Sequence, residues 1–190
     1  NPVEWNRNDG FSPGQALVVR VPGIDLAQTG LAPITDIEAS LSEDAPVAII
    51  DTATWERQPY FAELDANAAP GSADQVLYIR PATNWKAGHR YLVGMQGMKD
   101  AAGATLPAPA AFDRERDLLM ADEPWPDPEY QVETTFRLQS LNTHAGMATQ
   151  DLYLSWEFRV ASTANTTGRM LHVRDDALAT WTATDCFLGV

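Results

Sequence analysis

Apolar residues in this chain fall mainly in short runs separated by turn-forming residues, and the spacing inside those runs predicts strands. Residues 16–21 (ALVVRV) form an apolar run between Gly14 and Pro22-Gly23, the usual punctuation of a strand. Residues 47–50 form a second run. After a turn over 51–56, residues 57–64 return as its antiparallel partner. In 75–80, Val76, Tyr78 and Arg80 alternate with Leu77 and Ile79, and 91–96 supplies a further strand beyond the loop 81–88. Residues 100–103 make a turn, and 104–112 is extended and broken by proline, which suits an edge strand.

Helical spacing is rarer. Pro33 precedes Ile34, Ile37 and Leu41, which predicts a short helix or 3-10 turn over 33–42. Phe136, Leu138, Leu141 and Ala145 predict a helix over 134–147 that ends near Gly146. Met170, Val173, Ala177, Leu178 and Trp181 predict another over about 165–180. Between the last two lies the clearest strand, 151–162, where Leu152, Leu154, Trp156 and Phe158 share one face. Four large apolar side chains on one face need a covering layer.

Short strands at regular spacing with turn signals between them argue for a sandwich. The expected fold is therefore mostly β, an Ig-like antiparallel sandwich over 15–112. An arm of 1–14 precedes it, an acidic Pro-rich linker of 113–130 follows, and a helix–strand–helix unit occupies 131–190. The strand of that unit either joins the first sheet or opens a second domain. No internal repeat of fixed period occurs.

Charge narrows the partners. The formal net charge is −13 and the pI about 4.4, with two lysines, Lys86 and Lys99, against eleven arginines. A surface this negative repels phosphate backbones and anionic membranes. Nucleic acid is excluded as a partner, and no apolar run is long enough for membrane insertion. The first residue is Asn1 rather than Met, with no charged-then-apolar leader, so a processed or excised chain is expected. The single cysteine, Cys186, is either a buried small hydrophobe or half of a bridge to another part of a parent protein.

The motifs that suggest chemistry mostly fail on inspection. Gly10-Phe-Ser-Pro-Gly14 matches G-x-S-x-G, but a nucleophile elbow needs a strand before the serine and a helix after it. Pro13 also lacks the backbone N–H that the oxyanion hole would take from the residue after the nucleophile. His89, His144 and His172 show no zinc-ligand spacing, so no metal and no cofactor is expected. No catalytic residue is assigned. Asn6, Asn8 and Asp9 read as a turn network that ties down the arm. Asn165-Thr-Thr167 fits the glycosylation acceptor pattern, and Asn165, Ser162 or Thr163 could cap the last helix. Trp55, Trp85 and Trp125 fall in a turn, a loop and the Pro-rich segment. They are the candidate ligand-binding residues, as stacking rings for carbohydrate or as contacts to neighbouring domains.

Several phrases carry a resemblance. Glu4–Gly14 (EWNRNDGFSPG), Ala45–Thr52 (APVAIIDT), Ala62–Asp65 (AELD) and Gly88–Val93 (GHRYLV) are four of them. Asp151–Phe158 (DLYLSWEF), Val160–Ser162, Gly168–Leu171 (GRML) and Arg174–Ala177 (RDDA) complete the set. Together they resemble the N-terminal region of large secreted bacterial lipase/esterase-like proteins, in which Ig-like segments precede an α/β-hydrolase domain. The resemblance covers most of 1–180, includes no catalytic motif, and fails at 183–190. It implies a secreted or cell-surface protein in which this chain is a non-catalytic accessory module positioning a catalytic domain. Other domains or chains of the parent would be its partners. The alternatives are a self-assembling extracellular structural subunit, hence a homo-oligomer, and a small esterase with an unrecognised site.

Overall fold

The computed structural model describes residues 6–69, 71, 72, 74–121 and 124–184, the last three in backbone only. Strands β1 (Leu17–Val19), β2 (Val47–Asp51), β3 (Tyr60–Leu64), β4 (Leu77–Pro81), β5 (Arg90–Gln96) and β6 (Leu152–Arg159) form two antiparallel three-stranded sheets. Their orders are β1-β4-β3 and β2-β5-β6. The helices are α1 (Leu26–Thr29), α2 (Ala110–Ala121), α3 (Pro128–Ala145) and α4 (Thr163–Thr184), with a 3-10 turn at Ile37–Leu41.

The expectation of a mostly-β Ig-like sandwich is overturned: among the described residues helices cover more of the chain than strands do, and the strands form only two small sheets. The error lies in 104–130. Only an isolated bridge, Lys99 to Thr105, represents the expected edge strand. The expected linker is largely helix, because its prolines stand at helix ends rather than inside helices. Pro107 and Pro109 precede α2. Asp127 caps α3 by accepting from the Glu129 and Tyr130 amides, and Pro128 takes its first turn, where a missing N–H costs nothing. Gly146, at φ 67°, closes that helix in the left-handed conformation, which glycine adopts without a Cβ clash.

The result is three layers. Val47 and Ile49 of β2, with Tyr91, Val93 and Met95 of β5, face Tyr60, Ala62, Leu77 and Ile79 of the other sheet. The alternate residues Ala48, Ile50 and Leu92 turn the other way, onto Phe112 of α2 and Leu138, Leu141 and Met147 of the α3 region. Every residue of β2 is buried. A strand covered on both faces reads as a continuous apolar run rather than an alternating one, and each fully buried aliphatic side chain contributes about 1.5–3 kcal/mol. Gly94 makes the close approach of the helical layer feasible. A Cβ there would meet Met147 Sδ at 2.6 Å and Leu141 carbons at 3.1 Å.

The two sheets are tied together at both sides. Arg57 bridges to Ile50 of β2 before the chain enters β3 in the other sheet. On the opposite side, Phe11 pairs with Val160 beyond β6 before the chain enters β1. Strand 152–159 thus joins the β2-β5 sheet. Its register against β5 shifts between Met95 and Gln96, leaving Tyr153 as the extra residue. By simple alternation Leu152 would share a face with Leu154, Trp156 and Phe158. The bulge instead sends Leu152 into the helix-side core and Tyr153 into the inter-sheet core.

Candidate functional site

The most conspicuous surface is α4. Its start is fixed by the arm. Ser162 Oγ accepts from the Asn165 amide at 3.1 Å, and Asp9 Oδ1 accepts from the Ser162 amide at 3.0 Å. Asn165 Nδ2 donates to the Arg7 carbonyl. Hydrogen bonds from Ser162, through its hydroxyl and then its amide, hold the Asp9 carboxyl below the usual carboxylate range. A negative charge here also complements the positive end of the helix dipole.

Beyond this anchor every residue of the helix from Arg169 to Trp181 is exposed. Met170 is 70% exposed, Trp181 67%, and Leu171, Val173 and Leu178 are exposed as well. At about 100° per residue these five and Ala177 fall within an arc of about 160° that also contains Arg174, while His172, Asp175 and Asp176 take the other side. An apolar helical face of this width is the kind that globular proteins bury. Left uncovered, it marks an interaction surface. A smaller set of exposed apolar residues, Met120, Val132 and Phe136, lies on α2 and α3.

A second constellation lies where β2 meets β5. Asp51, with a fully buried side chain, lies opposite Tyr91. His89 Nδ1 stands 2.8 Å from Asp51 Oδ2, and Lys86 Nζ stands 3.7 Å from the same oxygen. The carboxylate also accepts from the Ala53 amide at 3.0 Å, and the Asp51 carbonyl accepts from Trp55 N at 2.7 Å. An aspartate orienting a histidine is half of a nucleophilic triad. Among the described residues Asp51 is the only side chain hydrogen-bonded to the His89 ring. The cluster instead closes the corner over 51–56.

The three tryptophans occupy three different environments. Trp85 is 3% exposed, packs on Tyr91 and Phe158, and donates its indole N–H to the Gln15 carbonyl. Trp125 is 8% exposed and packs edge-on against Tyr130. Trp55 is half-buried, stacked on His144 with ring centroids 4.0 Å apart. Neither Trp85 nor Trp125 offers a free ring face to a ligand. Trp55 has φ 61°, a backbone conformation unusual for a bulky residue; the corner hydrogen bonds and the His144 stack hold it there.

Ser12 is exposed and its carbonyl caps a turn by accepting from Gln15 N, so it stands in a turn rather than between a strand and a helix. Cys186 lies outside the described residues. Among the described residues there is no group of three or more His, Cys, Asp or Glu able to hold a metal ion, and no helix long and apolar enough to cross a membrane.

The helical spacing of Met170, Val173, Ala177, Leu178 and Trp181 was legible in the sequence, but its exposure was not. Reading 113–130 as a linker also concealed the Glu115–Arg137 pair at 3.4 Å; the Asp127-Pro-Glu129 capping signature could have revealed α3. Comparison with protein-family models, with curated proteins and with solved structures finds no match to this chain.

Proposed function

We propose that this chain is a non-catalytic accessory module of a secreted bacterial hydrolase, which docks on a catalytic domain and positions it. The carrying observation is the uncovered apolar face of α4, with Met170, Leu171, Val173, Leu178 and Trp181 all exposed. Such a face is costly to leave in water: covering a Leu, Val or Met side chain contributes about 1.5–3 kcal/mol each. Among the described residues the helix is tied to the body near its start, through hydrogen bonds of Ser162 and Asn165 with the arm, a geometry suited to presenting the rest of it to a neighbouring domain.

The test begins with the native protein from its source, by intact mass and peptide mapping, to find whether the polypeptide carries a hydrolase region. Hydroxyl-radical footprinting then compares Met170 and Trp181 in the native protein and in residues 1–190 alone. Several-fold protection in the native protein is expected. Equal reactivity in both overturns the proposal. Protection that grows with the concentration of residues 1–190 alone would assign the face to a second copy and overturn it as well.

A further inference from the structure

The end of the two packed sheets near the β6 bulge holds a cleft of about 600 Å³, within the size range of small-molecule sites. It is bounded by the segments that follow β5 and lead into β6. Three observations mark it as a binding site.

The first is the bulge. Bulges re-aim side chains and recur beside functional sites, and this one moves Tyr153 into the inter-sheet core at the cleft wall. The second is the state of its hydroxyl. Tyr153 is 94% buried by area, being 6% exposed, yet among the described residues its phenol oxygen has no hydrogen-bond partner, and it is not among the sealed, unpartnered polar atoms. Tyr153 also lines the cleft. Burial pushes the phenol above its ordinary pKa, so it is a neutral donor at physiological pH.

The third is the rest of the lining. Gln96, Lys99, Thr105, Gln150 and Asp151 surround the same space, and none of their side chains makes a hydrogen bond or ion pair among the described residues. Lys99 and Arg116 are balanced by Asp44 and Asp151, and Arg116 is already engaged with Asp113 and with the Leu152 carbonyl. Charge balance argues against an anionic or a cationic ligand. Mixed donors and acceptors suit hydroxyl groups, which do both. Leu106 and Ala108 add a small apolar patch, matching the C–H face of a sugar ring.

We propose that this cleft binds a short neutral oligosaccharide, held by hydrogen bonds from Lys99, Gln150 and the Tyr153 hydroxyl. The site includes none of the three tryptophans and no residue of α4, so it stands or falls separately from the docking surface.

The experiment is saturation-transfer NMR on the full chain with cellobiose, maltose, lactose and chitobiose at millimolar concentrations, beside glucuronate and glycylglycine. At least one disaccharide should show transfer and the two charged probes none. Lys99→Met and Gln150→Ala, both at solvent-accessible positions, should each weaken binding by about tenfold, the loss of about one good polar contact. Tyr153→Phe, which removes only the unpartnered oxygen, should weaken it without lowering Tm. The proposal is overturned by no transfer from any disaccharide. Transfer that survives all three substitutions, or preferential binding of glucuronate or glycylglycine, overturns it too.

Discussion

His89 Nδ1 lies 2.8 Å from the buried Asp51 carboxylate, and this pair joins the start of β5 to the end of β2 and the corner that follows. A carboxylate offers only acceptors, so the imidazole donates from Nδ1 and leaves Nε2 for the solvent side, where the ring is 28% exposed. Replacing Asp51 with Asn keeps the shape and removes the charge. The Asp51→Asn protein should lose about 1.5–3 kcal/mol of stability, the usual worth of a hydrogen bond to a charged group. Urea denaturation at neutral pH measures it. His89→Gln, at a partly exposed position, should cost less.

Gly94→Ala tests the packing of the helical layer. The added methyl would stand 2.6 Å from Met147 Sδ and 3.1 Å from Leu141. Overpacking of this kind costs about 1–3 kcal/mol, and thermal denaturation should show a lowered Tm. Met147→Ala in the same protein should recover part of the loss, because it removes the closest clash.

Gly10 behaves differently. A Cβ there would meet the backbone of Val160 and Ala161 at 2.5 Å and the Arg159 carbonyl at 2.7 Å, none of which can swing aside. Gly10→Ala should detach the arm rather than unfold the sheets. Hydrogen exchange would then rise at Ala161 and Ser162, whose amides donate to Phe11 and Asp9, while β2 and β5 keep their protection.

The same arm should loosen in acid. Asp9 has its folded-state pKa depressed by Ser162, so its contribution is fully present above the unfolded value of about 3.9 and is lost as pH falls through the lower folded value. Exchange at Ser162 should therefore rise below that point. Asp9→Asn should abolish the pH dependence.

Alkali should act through the tyrosines. Burial raises the pKa of Tyr60, Tyr91 and Tyr153. Their neutral forms favour the folded state, so stability holds below the unfolded value of about 10 and falls as pH rises through the higher folded values. Urea midpoints measured from pH 8 upward should decline beyond that point, and Tyr60→Phe should flatten the decline.

How much of this was legible depends on where each side chain's partner lies in the chain. Strands 47–51, 60–64, 77–81 and 90–96 were read nearly in place, because apolar runs and the turn residues between them are local signals. The span 104–130 was misread because proline was taken as a breaker. Pro128 stands at a helix start, where it is well tolerated. Leu152, Leu154, Trp156 and Phe158 looked like one face, and the bulge at Tyr153 divides them. A bulge depends on the register against β5, which no local pattern in 151–162 records.

The candidate surfaces follow the same division. The sequence by itself determined the acidic charge, the short strands, the turn at Ser12 and the helical spacing of Met170 through Trp181. Only the tertiary structure decided that Trp85 and Trp125 are buried, that Asp51 faces His89, and that the face of α4 is uncovered. Periodicity fixes which residues of an element lie on the same side. What stands against that side is fixed by segments distant in the chain, and burial, pairing and exposure are properties of the two together.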